Sequence, residues 1–212
     1  MSLGGALASL AAVRTVVQNL RDGNEIKLVT FGEPRIGDYQ FAMYHSTHIP
    51  YSFRVVNRAD IIPHLPPCKK NASIANSEID ESKPCLATNN SFPYHHGITF
   101  RYPYGMHENA KYYECLNTPI NEDFECSDSL LFDIKHLKTF IKDHRYYFNV
   151  KVPAYGKKGC KNFTNDSSEI DDAFIPLNVS QQLTSDSSSS FQKIQTGISN
   201  IFDALKSLIK FF

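Results

Sequence analysis

The chain has no charge surplus of either sign: Lys plus Arg and Asp plus Glu are both 22 among 212 residues. A nucleic-acid binder carries a basic excess to displace counterions, so the balance argues against that partner class. No run of about 18 apolar residues occurs, so no spanning helix is expected. The N-terminus lacks a charged stretch followed by an apolar one, the pattern of a signal peptide. No Cys-x-x-Cys pair is present, leaving zinc and redox motifs poorly supported. No G-x-G-x-x-G surrounds Gly4-Gly5, so a dinucleotide site there is weak. What is present is a 42% apolar share, enough for a packed core and against global disorder. The length suits one sizeable domain and is marginal for two.

Five cysteines occur, Cys68, Cys85, Cys115, Cys126 and Cys160. Five is odd, so at most two internal bridges form and one thiol is left over. Five Asn-x-Ser/Thr acceptors lie at Asn71, Asn89, Asn162, Asn165 and Asn178, all in loop-like or tail segments beside cysteines. Together they predict an extracellular body, although the chain shows no export signal. A missing upstream piece is therefore expected.

Residues 3 to 20 read as a helix. Small residues from Gly4 to Ala12 let it approach a sheet closely, and Leu3, Leu7, Leu10, Val13 and Val17 recur near one face. Asp22-Gly23-Asn24 is a turn, and Ile26 to Phe31 reads as a buried strand. Asp38 caps a helix to about His48. Tyr51 to Val56 is a second strand, followed by the loop Asn57 to Pro67. This alternation predicts an α/β layer with a parallel sheet. Residues 69 to 93 are a polar, cysteine-flanked excursion. Gly97 to Tyr102 and Lys111 to Cys115 read as a two-strand addition at the sheet edge. Residues 128 to 142 carry Leu130, Ile134, Leu137 and Ile141 on one helical face, with Ser127 or Asp128 as cap. Residues 151 to 190 are expected to be a disordered Ser/Asn-rich linker. Residues 191 to 212 resume a strong helical period.

The chemistry begins at Ser2. Ser-x-Gly at the mouth of a small-residue helix is the second half of a nucleophile elbow, G-x-S-x-G. The glycine two residues on has no Cβ to crowd the turn. The N–H of Leu3 opens the helix, where a developing oxyanion is stabilised. Among the acids, Asp60 follows a strand at the carboxyl edge of an α/β sheet, where functional loops lie, while Asp38 is better explained as a cap. Among the histidines, His136 is solvated, His95 and His96 read as structural, His64 braces the acid loop, and His45 and His48 end a helix. His107 has no context. His144 lies just after a helix, where it can return over the sheet edge.

Ser2-Leu3-Gly4-Gly5-Ala6-Leu7-Ala8 resembles the elbow of class 3 (fungal-type) triacylglycerol lipases. Leu28 to Asp38 (LVTFGEPRIGD) is similar to that family's T-F-G-x-P-R-x-G-[ND] segment, and Tyr51 to Pro67 resembles the following strand and acid loop. Tyr94-His95-His96-Gly97 resembles its Y-x-H-x-G-x-E strand, except that Phe100 stands near the usual acidic position. Asp143-His144-Arg145-Tyr146-Tyr147-Phe148 resembles its D-H-x-x-Y-F terminus. The version with Cys126-Ser127-Asp128-Ser129-Leu130-Leu131 looks most like nematode secreted members. The motifs cover about residues 1 to 150, which would form a partial class 3 lipase domain starting at the elbow.

The resemblance implies the C-terminal half of an α/β-hydrolase, a mostly parallel sheet flanked by helices. It implies Ser2 as nucleophile, Asp60 as orienting acid, His144 as general base and the Leu3 backbone N–H as one oxyanion donor. No metal or cofactor is implied. The substrate would be an acylglycerol or other lipid ester. The family places the strand before the elbow, the second oxyanion donor and the lid upstream of Ser2, so the chain as written is expected to be truncated and inactive or barely folded. The rival reading is a non-catalytic secreted lipase-like glycoprotein or a lipid-surface binder. For the latter, residues 191 to 212, with Lys193, Lys206 and Lys210 opposite large apolars, would touch a membrane or lipid-droplet surface.

Overall fold

The computed structural model describes residues 1–71, 83–88 and 91–157. The sequons other than Asn71, together with Cys160 and the helical period at 191–212, lie outside them.

Apolar and β-branched residues in KLVTF and YSFRVVN favour extended backbone. They form β1 (Lys27–Phe31) and β2 (Tyr51–Asn57), which pair in parallel with Val29 opposite Phe53 and Phe31 opposite Val55. Next in the sheet is β3 (Ile98–Tyr102), parallel to β2, and β4 (Tyr113–Cys115) closes it antiparallel, giving the order β1-β2-β3-β4. Two helices flank the parallel strands. Helix α1 (Leu3–Val17) precedes β1, and α2 (Tyr39–His48) links β1 to β2, its first turn capped by the Asp38 carboxylate accepting from the Phe41 N–H at 2.9 Å. The chain is an α/β protein with a mostly parallel sheet, the fold class its motifs imply.

α1 does not bury its leucine face. Leu3, Leu7, Leu10 and Val17 are exposed, while Gly5, Ala6, Ser9 and Ala12 are buried. The reason is distance. A Cβ added at Gly5 would lie 3.3 Å from both Glu33 Cβ and Thr30 Cβ, so only the small-residue stripe lets the helix sit this close to β1. The core there joins Ala12, Leu28 and Ile49 with Val13, Val16 and Ile26.

The helix expected over 128–142 is displaced. A π-type turn spans Phe124–Asp128, a 3-10 turn Ile134–His136, and α3 runs Leu137–Arg145, so His144 lies in its last turn rather than beyond it. The buried residues of α3 are Phe140 and Asp143, whereas Leu137 and Ile141 are exposed. Phe140 packs with Ala59 and Ile61 of the acid loop, and that contact decides the register. After α3 come a short antiparallel pair, β5 (Tyr146–Tyr147) with β6 (Val150–Lys151), and α4 (Val152–Lys157). The first residues of the expected linker are thus ordered.

Cys68 pairs with Cys85 and Cys115 with Cys126. The first bridge staples the base of the excursion, and the second ties β4 to the π-type turn.

Candidate active site

β1 ends at Phe31, and Gly32 follows with φ +55. Gly32 is the hub of the site. A Cβ there would meet Asp60 Oδ2 at 2.5 Å, His144 Nδ1 at 2.9 Å and the Tyr147 hydroxyl at 2.9 Å. Only a residue without a side chain, free to adopt positive φ, lets these three groups converge against the strand end.

Asp60 is fully buried. A buried carboxylate is stable only when its lone pairs are occupied. Here the Ile62 N–H donates to Oδ1 at 2.9 Å and the Tyr147 hydroxyl to Oδ2 at 2.6 Å. His144 Nδ1 lies 3.0 Å from Oδ1 and 2.9 Å from Oδ2. A carboxylate accepts only, so His144 carries its proton on Nδ1 and keeps Nε2 as a base. Burial, and then the Asp60 charge, push the Tyr147 phenol well above its ordinary pKa, so it stays a donor.

The segment bearing His144 is fastened to the end of β2. Asn57 Nδ2 donates to the carbonyls of Asp143 at 3.1 Å and Tyr146 at 2.9 Å. The Ala59 N–H donates to Asp143 Oδ2 at 3.2 Å, and Arg58 Nε lies 3.6 Å from Oδ1. Burial raises the Asp143 pKa, with Arg58 opposing it. Acid and base are therefore set by one interlocked turn pair.

The acid loop is braced from below. Arg35 makes a two-pronged pair with Glu122, Nε to Oε1 at 2.6 Å and Nη2 to Oε2 at 2.8 Å, and donates from Nη1 to the His64 and Pro66 carbonyls. Its backbone N–H also donates to the Leu65 carbonyl at 2.7 Å. Asp128 adds a second carboxylate 3.6 Å from Nη2 and lies 3.4 Å from His64 Nδ1. Burial, then the Arg35 charge, lower His64 to about 3, keeping it neutral.

Ser2 is placed through backbone. Its N–H donates to the Phe31 carbonyl at 2.9 Å, which seats it beside the strand end from which Gly32 follows. Its φ of +52 with ψ of −137 is a region L-residues seldom occupy, the local strain expected of a nucleophile elbow. Its side chain makes no capping bond to α1. Leu3 is the first residue of α1, so its N–H has no acceptor within the helix. The helix is clamped to β1 by Glu33, which accepts from Ser9 Oγ at 2.6 Å and Thr30 Oγ1 at 2.5 Å. Burial raises the Glu33 pKa, the two hydroxyls opposing.

Of the residues singled out from sequence, Asp60 and His144 are directly bonded, and Ser2 reaches the same strand end by its main chain. Asp38 caps α2, His95 and His96 are buried, and His136 is half-buried. Sequence reasoning passed over Gly32, Tyr147, Asp143, Asn57, Arg35 and Glu122. Gly32, Arg35, Asp143 and Tyr147 sit inside recognisable motifs, whereas nothing local marks Glu122. Two groupings bring carboxylates to cysteines, Cys115 with Asp123 and Cys126, and Cys85 with Glu122 and Asp128. All three cysteines are in disulfides, and a bridged sulfur is no thiolate ligand.

An aspartate loop after the second parallel strand and a histidine returning to it from a later helix are the α/β-hydrolase arrangement. Residues 1–70 match the family model described as lipase (class 3). A lipase of Caenorhabditis elegans is 45% identical over 160 residues, covering 75% of this chain and 45% of that protein. A secreted mono- and diacylglycerol lipase of Malassezia globosa is 44% identical over 68 residues, covering 32% and 21%. Among solved structures, the lipase of Rhizopus microsporus var. chinensis superimposes with a TM-score of 0.48 at 25% identity, covering 71% of this chain and 42% of that one. The chain belongs to the class 3 lipase family, and it spans less than half the length of these relatives.

Proposed function

We propose that the residues gathered around Gly32 form a serine ester-hydrolase site for lipid esters of the acylglycerol kind. His144 Nε2 takes the Ser2 proton as the serine oxygen attacks the ester carbonyl. Asp60 holds the tautomer and stabilises the imidazolium. The Leu3 N–H stabilises the oxyanion. The imidazolium then protonates the leaving alcohol, and water hydrolyses the acyl-enzyme by the same base.

The observation that carries this reading is the packing at Gly32. There a buried carboxylate meets an imidazole oriented to leave one nitrogen basic, at the strand end whose preceding residue binds the Ser2 main chain. A purely structural Asp–His pair has no use for a strained serine at the same place. The acylglycerol class rests on the family and on what the Malassezia relative is named for. The two disulfides, and that relative's secretion, support an extracellular setting.

A serine-reactive phosphonate tests the reading, with intact-mass and peptide analysis of the adduct. Labelling at Ser2, abolished in Ser2→Ala and strongly slowed in His144→Ala, is the expected result. Absence of an adduct, or labelling indifferent to His144, favours the non-catalytic glycoprotein.

A further inference from the structure

The acid loop cannot brace itself. Pro63, Pro66 and Pro67 have no N–H to give. The loop's own main-chain bonds run from the His64 N–H to the Ile61 carbonyl and from the Leu65 N–H to the Ile62 carbonyl. The next four carbonyls, of Pro63, His64, Leu65 and Pro66, are left to outside donors. Two residues supply all four. His95 Nε2 donates to Pro63 at 2.5 Å, Arg35 Nη1 to His64 at 2.5 Å and to Pro66 at 3.1 Å, and the Arg35 N–H to Leu65 at 2.7 Å. A carbonyl only accepts, so His95 carries its proton on Nε2. Burial holds its pKa well below the ordinary value and keeps the ring neutral.

Both donors converge on one carboxylate. Glu122 Oε1 accepts from Arg35 Nε at 2.6 Å and from the His95 N–H at 2.8 Å, while Oε2 accepts from Arg35 Nη2 at 2.8 Å. Glu122 lies in the stretch closed by the Cys115–Cys126 bridge. That stretch is itself fixed. The Tyr94 hydroxyl donates to the Ile120 carbonyl at 2.7 Å, Arg54 Nη2 donates to the Asn121 carbonyl at 2.7 Å, and Asp123 accepts from the Asn117, Glu125 and Cys126 N–H groups. Asp60, Arg35, His95 and Glu122 are all buried by the described residues themselves. A chain of bonds therefore runs from the bridged stretch through Glu122 and its two donors to the turn whose Ile62 N–H binds Asp60 Oδ1. Oδ2 is held from the histidine's side by Tyr147, so the loop sets the other half of the carboxylate's direction.

We propose that Glu122 and His95 are positioning residues of the site, which hold the acid loop at its carbonyls and so set the direction in which Asp60 meets His144 Nδ1. Neither touches the reacting atoms. Their bearing on catalysis rests on the hydrolase reading, whereas their hold on the Asp60–His144 bond does not.

The proton on His144 Nδ1 gives a low-field NMR signal that reports this bond directly, and phosphonate labelling of Ser2 reports reactivity. In the full chain, His95→Phe and Glu122→Gln should each move the signal to higher field, hasten its exchange with water, and slow labelling between about ten- and a hundredfold. His95→Phe keeps the Arg35–Glu122 pair, so it decides the matter even where Glu122→Gln does not fold. In the double variant the slowing should fall short of the product of the two, since both act through one turn. A His95→Phe protein that loses stability to urea but keeps the wild-type signal and labelling rate overturns the proposal. So do slowings that multiply. An unlabelled Ser2 in the wild-type chain removes the hydrolase reading, and the NMR signal then decides the positioning by itself.

Discussion

Asp60 and His144 are held by directed bonds within and between two stretches of chain, one carrying Asn57, Ala59 and Ile62 and the other Asp143 and Tyr147. Ser2 is held differently, by one main-chain bond to Phe31, by a strained φ, and by a helix whose small face Glu33 clamps to β1. Under the proposed function, the contrast teaches how an acyl-transfer site divides its demands. The carboxylate and imidazole need fixed orientation, which buried hydrogen bonds supply. The nucleophile needs exposure and a sharp turn, which backbone geometry supplies. Glycine serves both sides, at Gly32 for the convergence and at Gly5 for the close approach of α1.

The largest effect is expected where orientation is removed without removing volume. Asp60→Asn should slow phosphonate labelling of Ser2 on the order of 10³- to 10⁴-fold, because the amide favours the wrong tautomer. A change below tenfold would place the orienting role elsewhere in the cage. Next, Glu122→Gln leaves the buried Arg35 charge without its two-pronged partner and should cost about 3–5 kcal/mol in urea unfolding. A loss under 1 kcal/mol would mean that Asp128 alone suffices. Third, Gly32→Ala forces a methyl group against Asp60 and His144 at positive φ. A loss of about 1–3 kcal/mol is expected, with phosphonate labelling of Ser2 slowed beyond what the stability change explains.

The most gradual effect is expected from pH, spread over several units, and it compares the two sides directly. Burial, then the Arg54 charge, lower His45 to about 4, and His64 on the acid side falls to about 3. Both are depressed below the ordinary 6.5, so the unfolded chain binds these protons first. Their contribution is complete above pH 6.5 and is lost as pH falls through the folded values. Each histidine should contribute a slope of up to about 1.4 kcal/mol per pH unit, with the His45 share ending near pH 4 and the His64 share continuing toward 3. His45→Asn should flatten the upper part of the urea-midpoint profile and leave the lower part. An unchanged profile would show that His45 titrates normally.

Much of this was legible from residue order. The strands at 27–31 and 51–57, the Asp38 cap and the small-residue helix follow from local rules, since propensity, capping and turn chemistry act over a few neighbours. The elbow, the strand and acid loop Tyr51–Pro67 and the D-H-R-Y-Y-F motif nominated Ser2, Asp60 and His144, and of these the structure bonds Asp60 to His144. Apolar spacing put Leu7 and Leu137 each on a shared helical face without saying what that face meets; α1 buries the small residues expected to approach the sheet, and α3 buries Phe140 and Asp143. Spacing identifies a stripe but not what stands opposite it, and here the opposing surfaces demand close backbone approach and a polar clamp.

Local grammar in the chain therefore decided which short segments turn, extend or coil and which side chains stand as candidates for reactive chemistry. Only folding in three dimensions decided their partners. Arg35 meets Glu122 from 87 positions away, and Asp60 meets His144 and Tyr147 from 84 and 87. Such pairs leave no periodic trace in residue order, because their stability comes from shared exclusion of water where distant loops pack, and burial of that kind belongs to the assembled sheet rather than to any one segment.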